Sequence, residues 1–429
     1  MSTPGRARLS LTALLMAHTL SRTGNVVTLF AIPFLVLETG GGAIQVGIAA
    51  AATTAPVVLG APLGGVLVDR IGYLRSSVGS DVVSGMTIAL IPVLAALIGL
   101  PFPALLALVF LSGLLDTPGE TARRVLLPDL FTKARIPLER SVGFLDGATR
   151  AATLIGAPLA ALLVASLGAF PALLVTAGAF ALSALVAGVL IRPAAPSPST
   201  DAVADAIPGG YWVDLRDGLR FVRSDRLLRP LILLVLVTNT LNAARGGTLL
   251  PLYASQELAG PASLGVLAGS FGGAALIGSI VFGFIAHRLP RRVPFVICYT
   301  LITGSSLGPA LGLDTPWLVG VFILSGLAAG AINPIIGAVE LERIPPHLRA
   351  RVLGLITAGA WAGMPLGGLL GGFAANSFGL TATFTAAFVI YLAVTLTPLR
   401  GGPWKLMERT DAPGNRTERE SPGQDQSVL

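Results

Sequence analysis

Long apolar runs, separated by short polar segments, repeat along the whole chain. A helix needs roughly 20 mainly apolar residues to cross the hydrocarbon core of a bilayer. By this measure the first part of the chain contains spans at 10–37, 44–68, 76–98, 102–125, 140–167 and 169–191. A second set follows at 230–254, 262–286, 294–313, 316–340, 351–375 and 379–399. The closest pairs are divided at Gly168-Ala169 and at Asn376-Ser377. The pattern predicts an all-α integral membrane protein with twelve transmembrane helices.

The composition supports this interpretation. The chain is 53% hydrophobic and only 12% charged, with a mean hydropathy of +0.79. A soluble protein of this length needs more charge to cover its surface, so much of the apolar surface must face lipid. The 52 glycines fit membrane helices, whose backbones approach closely at small residues. No cleavable signal peptide is evident in the first apolar run.

The basic residues alternate with the spans. If the N-terminus is cytoplasmic, all but three of the 29 lysines and arginines fall in cytoplasmic segments. The three exceptions, Arg22, Arg150 and Arg245, lie inside spans, and the outside loops carry only acidic charge. This is the positive-inside pattern, and it predicts that both termini are cytoplasmic. The net charge of +7 is therefore a topology signal, and we expect no nucleic-acid partner.

A long polar segment divides the chain into two halves. We predict a six-helix bundle over 1–191, a cytoplasmic linker over 192–229 and a second six-helix bundle over 230–400. Within the linker, Trp212, Leu215, Leu219 and Val222 recur at helical spacing, which is typical of an amphipathic helix on the inner leaflet or in a solvated linker. The tail at 401–429 is polar and is predicted to be a disordered cytoplasmic segment.

The two halves share an ungapped internal repeat over their first hairpins. When the chain is shifted by 218 residues, Pro33 meets Pro251, and several glycines superpose. The glycine pairs are Gly47 with Gly265, Gly60 with Gly278 and Gly65 with Gly283. Two six-helix halves joined by a long loop are the layout of transporters built from parallel repeats.

The loop between the second and third spans contains a motif of glycines and charges. It reads Gly65-Val-Leu-Val-Asp69-Arg70-Ile-Gly72-Tyr-Leu-Arg75. Gly65 allows close helix contact, Gly72 permits a tight reversal, and Asp69 can face the positive end of a helix. This motif resembles the cytoplasmic signature of the major facilitator superfamily, G-x-L-x-D-R-x-G-x-x-R. The resemblance implies that Asp69 lies against the eleventh helix when the inside closes. In the second half His287 replaces the acid.

Two further segments narrow the resemblance. The run from Asp116 to Leu130 is similar to the subgroup that contains macrolide-type drug exporters and enterobactin-type siderophore exporters. Gly156-Ala157-Pro158 resembles the antiporter motif of the superfamily, although alanine separates the pair. The subgroup commonly carries an Asp in the first helix where this chain has Asn25. An amide cannot carry a proton, so a coupling route through that position is in doubt.

Ionisable residues inside or at the ends of spans are the candidate site, because burying them is costly unless they have a function or a partner. We expect a cytoplasmic charge network at the ends of spans three and four, near Arg70 and Arg75, and favour a structural gate over direct substrate contact. Its members are Asp81, Asp116, Glu120 and Arg123. A second group is predicted to lie nearer mid-membrane, for coupling or substrate binding. Its members are His18, Arg22, Asn25, Asp146, Arg150, Asn239, Asn242 and Arg245.

Within the second group, Asp146 and Arg150 are one helical turn apart and can pair. His18 is predicted either to hydrogen-bond locally beside Arg22 or to titrate. A proton, if transported, would use Asp146, His18 or an acid of the charge network. We expect no metal site and no cofactor, because three scattered histidines and one cysteine give no ligand spacing and no Walker-type phosphate loop occurs.

These features predict a secondary transporter of the cell membrane, acting as a monomer on a small, amphipathic molecule by alternating access, and exporting it in exchange for protons. An importer or uniporter remains open because of the altered span-five motif and the missing first-helix acid. A sensor or assembly partner that kept the fold remains open because a fold does not fix a function. No arrangement of nucleophile and base suggests an enzyme.

Overall fold

The computed structural model describes residues 4–134, 139–191, 211–286, 289–345 and 348–408. Throughout these residues the regular structure is helical, because long apolar segments in a membrane must satisfy their backbone hydrogen bonds internally. The first half forms six helices that follow the predicted spans. They are α1 (Pro4–Glu38), α2 (Ala43–Ile71), α3 (Tyr73–Ile98), α4 (Phe102–Lys133), α5 (Glu139–Leu167) and α6 (Ala169–Leu190).

The second half begins with the amphipathic helix α7 (Tyr211–Ser224) and then repeats the six-span layout with two interruptions. Span seven consists of α8 (Leu228–Ala244), a π-helical turn (Arg245–Leu249) and α9 (Leu250–Glu257). Spans eight to ten are α10 (Pro261–Ile285), α11 (Arg292–Ala310) and α12 (Thr315–Arg343). Span eleven is broken into α13 (Arg349–Trp361) and α14 (Met364–Phe378), and span twelve is α15 (Leu380–Thr395).

The helices confirm the predicted fold class. Ten described helices are long and apolar enough to cross a membrane, and span seven, taken together with the end of the preceding helix, adds an eleventh. The twelfth, span five, contains a shorter apolar helix at Ala151–Leu167. The division at Gly168 is confirmed by its positive φ of 88°. The division at Asn376-Ser377 is wrong by two residues, because the left-handed residue that ends the helix is Gly379, with φ 80°.

The amphipathic helix α7 turns sharply away from the bundle. Its last turns make an angle of 98° with span seven, so α7 runs across the end of the helices rather than along them. It packs on α13 and α8, and Phe221 and Val222 contact the buried core of the second half. Its other turns present Arg216, Arg220 and Arg223 as exposed side chains. The structure thus has a helix over these residues, and its place at the membrane surface stays a prediction.

The predicted disorder of the tail is wrong for its first residues. Gly402–Met407 forms a 3-10 helix in which Trp404 and Met407 are buried, with the Trp404 ring 6.4 Å from that of Phe295. The Glu408 carboxylate accepts hydrogen bonds from the backbone N–H groups of Arg291 and Arg292. Two apolar side chains and one acid therefore anchor this segment to the start of span nine. Residues 409–429 lie outside the described part.

The hydrophobic core divides at one end of the bundle and is continuous at the other. We name the ends by their loops: the linker end has the turns at 71–73 and 224–228, and the far end has those at 38–43 and 257–261. A core from mid-span to the far end joins both halves and includes Phe34, Leu105, Tyr253, Leu264 and Phe384. At the linker end each half has its own core. The halves are therefore packed together at the far end.

Small residues make that packing close. In the described chain, a Cβ added at Gly47 would lie 2.6 Å from the carbonyl oxygen of Gly368, and one at Gly372 would lie 2.5 Å from that of Ala43. Spans two and eleven thus touch backbone to backbone. Spans five and eight meet in the same way, where a Cβ at Gly265 would overlap Ala161. We call these two contacts the far-end seam, and both lie in the far-end half of their helices.

Candidate functional site

A single arginine is the centre of a buried charge cluster in the first half. Arg123 has 0% exposure and lies well inside α4, where a large side chain and a permanent charge need several partners. Its Nη1 donates to both carboxylate oxygens of Asp81 at 3.0 Å, and its Nη2 donates to Ser21 Oγ at 3.0 Å. Ser183 Oγ donates to Asp81 Oδ2 at 2.6 Å. Four helices thus meet at one ion pair.

A second carboxylate, that of Asp116, borders the same arginine more loosely. Its Oδ1 is 3.7 Å from Arg123 Nη2, beyond hydrogen-bonding distance. The neutral amide of Asn25 supplies the close contact instead, with Nδ2 donating to Oδ2 at 2.7 Å. Ser21 Oγ adds a long contact of 3.4 Å. At about 1.5 Å of rise per residue, Asp116 is about 21 Å along α4 from its far end, which places it near mid-span.

The third acid, Glu120, connects the cluster to more accessible groups. It pairs with Arg22 of span one at 3.0 Å and with Arg124 of its own helix at 2.8 Å. Arg22 and Glu120 are about a quarter exposed, and Arg124 is 58% exposed. Glu120 thus has two cations, whereas Asp81 and Asp116 share one. The buried part of the described cluster carries one positive and two potential negative charges.

His18 joins the cluster from span one, but not as expected. It is fully buried, and its Nε2 is 2.9 Å from Thr149 Oγ1 of span five. Its Nδ1 has no hydrogen-bond partner among the described residues. The predicted local hydrogen bond beside Arg22 is therefore replaced by a contact between helices, and the second prediction for His18, titration, stays a prediction.

The structure brings together residues that we had predicted as two separate groups. Asp81, Asp116, Glu120 and Arg123 contact span one through Ser21, Arg22 and Asn25, rather than facing the loop between spans two and three. Of the loop arginines, Arg75 is exposed and Arg70 lies outside the described side chains. The cluster is buried because the polar residues of span one are spaced three and four apart, which puts them on one face.

Several predicted residues cannot be placed. The structure does not describe the surroundings of Gly65 or the side chains of Asp69, Arg70, Asp146 and Arg150, and His287 lies outside the described residues. The gate role of Asp69 and the pair in span five therefore stay predictions. For the motif itself, the structure places Gly72 between α2 and α3 with φ 92°, a left-handed conformation that requires glycine. Its N–H bonds to the carbonyl of Val68.

The second half contains a cavity of about 540 Å³. It extends from Arg245 at mid-span to Leu231 and Glu340, three residues from the linker ends of their helices. The walls are mainly apolar and include Val235, Phe271, Ile302, Ile332, Ile336 and Trp361. Such a lining, with few polar groups, is typical of a small-molecule site.

The predicted span-seven residues Asn239, Asn242 and Arg245 all line this cavity. Asn239 Nδ2 donates to the carbonyl of Ala360 at 2.9 Å, which satisfies a backbone group freed near the break in span eleven. Arg245 occupies the first position of the π-helical turn and donates to Ser305 Oγ. Sequence reasoning missed Tyr391 and Tyr299, which also line the cavity, because a tyrosine in an apolar run resembles any core aromatic.

The span-five motif lies at helix contacts. A Cβ added at Gly156 would lie 3.0 Å from Val26 of span one, and the Pro158 ring is 3.1 Å from the corresponding position at Gly269 of span eight. The motif therefore packs span five against both halves. Among the described residues, no group of three or more His, Cys, Asp or Glu is arranged to hold a metal ion.

Two six-helix halves, a cavity reaching one end of the bundle and charges buried at mid-span define a membrane transporter. The family model described as Major Facilitator Superfamily matches residues 14–260 and 247–425. The chain belongs to this superfamily. It is also 31% identical over 378 residues to the multidrug efflux pump Tap of Mycolicibacterium fortuitum, covering 87% of this chain and 91% of the relative. The protein of the same name from Mycobacterium tuberculosis is 32% identical over 390 residues, covering 90% and 92%.

Solved structures show the same fold at low identity. The crystal structure of nucleoside transporter NupG matches with a TM-score of 0.69 and 13% identity, covering 90% of this chain and 97% of that one. A POT family transporter matches with the same score and identity, covering 92% and 96%. The predicted family, fold class and transporter function are confirmed, and the resemblance to drug exporters is confirmed by relatives named as efflux pumps.

Proposed function

We propose that this chain exports a small amphipathic molecule across the cell membrane in exchange for protons, by alternating access. The observation that carries the proposal is the position of the cavity. It reaches the linker end, while the far-end seam joins the two halves on the opposite side. The charge segregation supports a cytoplasmic linker end, and the cavity then opens toward the cytoplasm. Relatives named multidrug efflux pumps support the outward direction.

The mechanism follows from the cavity that reaches the linker end and the seam that closes the far end. A molecule with an apolar body enters the cavity from the linker end, since the walls offer mainly apolar contact. The halves then rotate about the centre, so the far-end seam opens and the separate cores at the linker end approach each other. Both halves lie in one chain, so a monomer suffices. The activity is transport and requires no catalytic group or cofactor.

Proton coupling is assigned to Asp116. Arg123 hydrogen-bonds to Asp81 and lies 3.7 Å from Asp116, so among the described residues the hydrogen bonds to Asp116 come from the neutral groups of Asn25 and Ser21. A proton on Asp116 removes the excess negative charge of this buried site, and its release restores that charge. Asn25, although unable to carry a proton, holds the carboxylate in place. The acid expected in the first helix is thus supplied by span four.

The proposal is tested by measuring accumulation in cells with and without the chain. A panel of fluorescent amphipathic dyes that differ in charge is loaded, and intracellular fluorescence is followed before and after the proton gradient is collapsed. Export predicts lower accumulation of at least one dye, restored by collapsing the gradient. Higher accumulation would indicate an importer, and unchanged accumulation of every dye would favour a sensor or assembly partner.

A further inference from the structure

Arg245 is a buried cation without an acidic partner in the described structure. The residue is 9% exposed, and among the described residues its one hydrogen bond is donated to Ser305 Oγ. No carboxylate of the described residues forms an ion pair with it, in contrast to Arg123 and Arg22. A guanidinium does not lose its proton in proteins and has five N–H donors. Most of this donor capacity is therefore available at mid-span.

Two other buried polar groups lie beside Arg245. Tyr391 Oη and Asn242 Oδ1 form no well-aligned hydrogen bond with the described residues, although these two side chains are within reach of each other. Tyr391 is 2% exposed and close enough to Arg245 to interact with it electrostatically. Buried polar groups normally have well-aligned partners, so this cluster has hydrogen-bonding capacity to offer a ligand. All three residues line the same cavity.

The backbone supports this assignment. A π-helical turn has wider hydrogen-bond spacing than an α-helix, and such turns occur often at functional sites. Here the turn begins at Arg245 itself, so the residue that carries the cation lies in the widened part of the helix.

We propose that Arg245, with Tyr391 and Asn242, forms a binding site for an anionic group of the transported molecule. The apolar walls hold the body of the molecule, and the anion lies at the closed end of the cavity. Glu340, half-buried near the opening, is the only acid among the described lining residues and suits a cationic or donor group farther out. The preferred substrate is therefore an amphipathic organic acid or zwitterion. This inference rests on the proposed export function and specifies its substrate.

The Arg245 site also connects substrate binding with closure of the linker end. In the structure, the cavity lets water reach Arg245 from the linker end. When that end closes, the water is removed, and an unpaired guanidinium in an apolar surrounding is costly. An anion bound at Arg245 offsets this cost because it forms charge-assisted hydrogen bonds in the closed cavity. Anionic molecules are therefore transported in preference to neutral molecules of the same shape.

The test uses three probes of one shape: 1-pyrenebutyrate, its neutral amide and the corresponding 4-(1-pyrenyl)butyl trimethylammonium. Their uptake into inside-out vesicles is compared for wild type, Arg245→Gln and Arg245→Lys, with equal protein levels and equal thermal stability verified first. Wild type is expected to prefer the carboxylate over the amide about tenfold or more, since hydrogen bonds to charged groups are worth about 1.5–3 kcal/mol. Arg245→Gln lowers carboxylate uptake more than amide uptake, so the preference is lost, and Arg245→Lys restores part of it.

Two outcomes separate the hypotheses. If wild type transports carboxylate and amide equally, or if Arg245→Gln keeps the preference, the anion site is wrong although export stands. If no probe is transported by wild type and the dye panel is also unchanged, the export function itself fails. Inorganic chloride is tested in a further arm: competition of millimolar chloride with the amide as well as with the carboxylate would assign the site to an inorganic anion and overturn the proposal.

Discussion

Arg123 and its two aspartates show how a membrane protein retains a full charge far from water. The contact to both oxygens of Asp81 through Nη1 and the hydrogen bond to Ser21 through Nη2 engage two of the three guanidinium nitrogens, and Ser183 donates to the aspartate. Removing one partner of such a pair leaves the other charge buried and unpaired, whereas removing both leaves neither member of the pair without its partner. The pair therefore fixes the positions of spans one, three, four and six.

We predict that Asp81→Asn and Arg123→Gln each lower the stability of the purified protein by about 3–5 kcal/mol. The double variant is expected to lose less than the sum of the two single losses, because neither charge is then left alone. Thermal unfolding in detergent measures all three. Glu120→Gln, in the more exposed part of the cluster, is the control with a smaller loss. Additive losses would show that Asp81 and Arg123 do not interact.

A second residue-scale prediction concerns Asp116. Asp116→Asn keeps the shape and the hydrogen-bonding capacity but cannot exchange a proton. We expect export driven by a pH gradient to fall at least tenfold, while exchange of substrate between the two sides without a gradient continues. Asn25→Ala should weaken export less, because it removes only the positioning amide. Gradient-driven export at the wild-type rate by Asp116→Asn would move the coupling group to His18 or Asp146.

At the scale of the elements, the glycines of spans two and eleven set how closely the halves approach. Gly372→Ala places a methyl group where the Ala43 carbonyl lies at 2.5 Å and Gly47 Cα at 2.9 Å. The contact is with backbone, which cannot rotate away. We therefore expect this variant to favour the conformation in which the far-end seam is open.

The measurement is labelling of a single cysteine, Thr357→Cys, in the cavity, in a Cys298→Ser background. Its labelling from the linker side by a membrane-impermeant reagent should fall several-fold in Gly372→Ala. Gly320→Ala is the matched control, since nothing lies within 4 Å of its added Cβ and its position is exposed. Equal labelling in all three proteins would show that the seam does not control opening.

The turn between α7 and span seven is held by one acid. Asp225 Oδ1 accepts the N–H groups of Leu227 and Leu228 at 2.8 Å, and its carboxylate binds Arg343 at 2.7 Å. Burial opposes ionisation of this acid, but the hydrogen bonds from Arg343 and the two N–H groups outweigh it and hold the pKa of Asp225 below its ordinary value. The contact thus stabilises the fold above the unfolded-state pKa and is lost as the pH falls through the lower, folded-state pKa.

We predict that Asp225→Ala lowers stability by about 1 kcal/mol, the usual loss for a helix cap, and frees α7 from span ten. Thermal unfolding gives the first effect, and protease cleavage in the linker gives the second. Asp214→Ala, on α7 itself, is the control. The difference between Asp225→Ala and wild type should disappear in strongly acidic buffer. A difference that persists below the folded-state pKa would show that the carboxylate is not responsible.

The sequence predicts the helices well and the contacts between their polar side chains less well. Hydropathy locates every span because lipid imposes one length and one periodicity, and Gly168 marks its turn because only glycine adopts that φ readily. Position in a span, however, does not reveal which helix a polar side chain faces. Arg123 appeared to end span four and instead pairs with Asp81, and the predicted charge network also contacts span one. The polar tail has only a few apolar residues near its start, among them Trp404 and Met407, and these do not suffice to predict an ordered segment.

At the scale of the whole molecule, the topology is the prediction that supports the direction of transport. With both termini cytoplasmic, the turn at 255–262 faces outside. Engineered cysteines at Ser255 or Ala259, in the Cys298→Ser background, should react with an impermeant reagent added to intact cells. A cysteine at Ser224, in the turn beside α7, is the control that should react only in inside-out vesicles. The reverse pattern would turn the cavity outward and contradict export from the cytoplasm.

The π-helical turn in span seven also records how the two halves diverged. After the turn, the two halves align with a shift of 218 residues, as Pro33 and Pro251 show. Before the turn, a shift of 217 residues aligns them instead. The matched pairs are Leu11 with Leu228, Leu14 with Leu231, Ser21 with Thr238, Thr23 with Thr240 and Asn25 with Asn242. Span one is a continuous α-helix over this region, so the second half carries one additional residue, and the wider turn absorbs it. A one-residue difference in length between the two halves therefore accounts for the turn that begins at Arg245. At the matching position the second half has a cation that lines its cavity, and the first half has Thr28 in an unbroken helix.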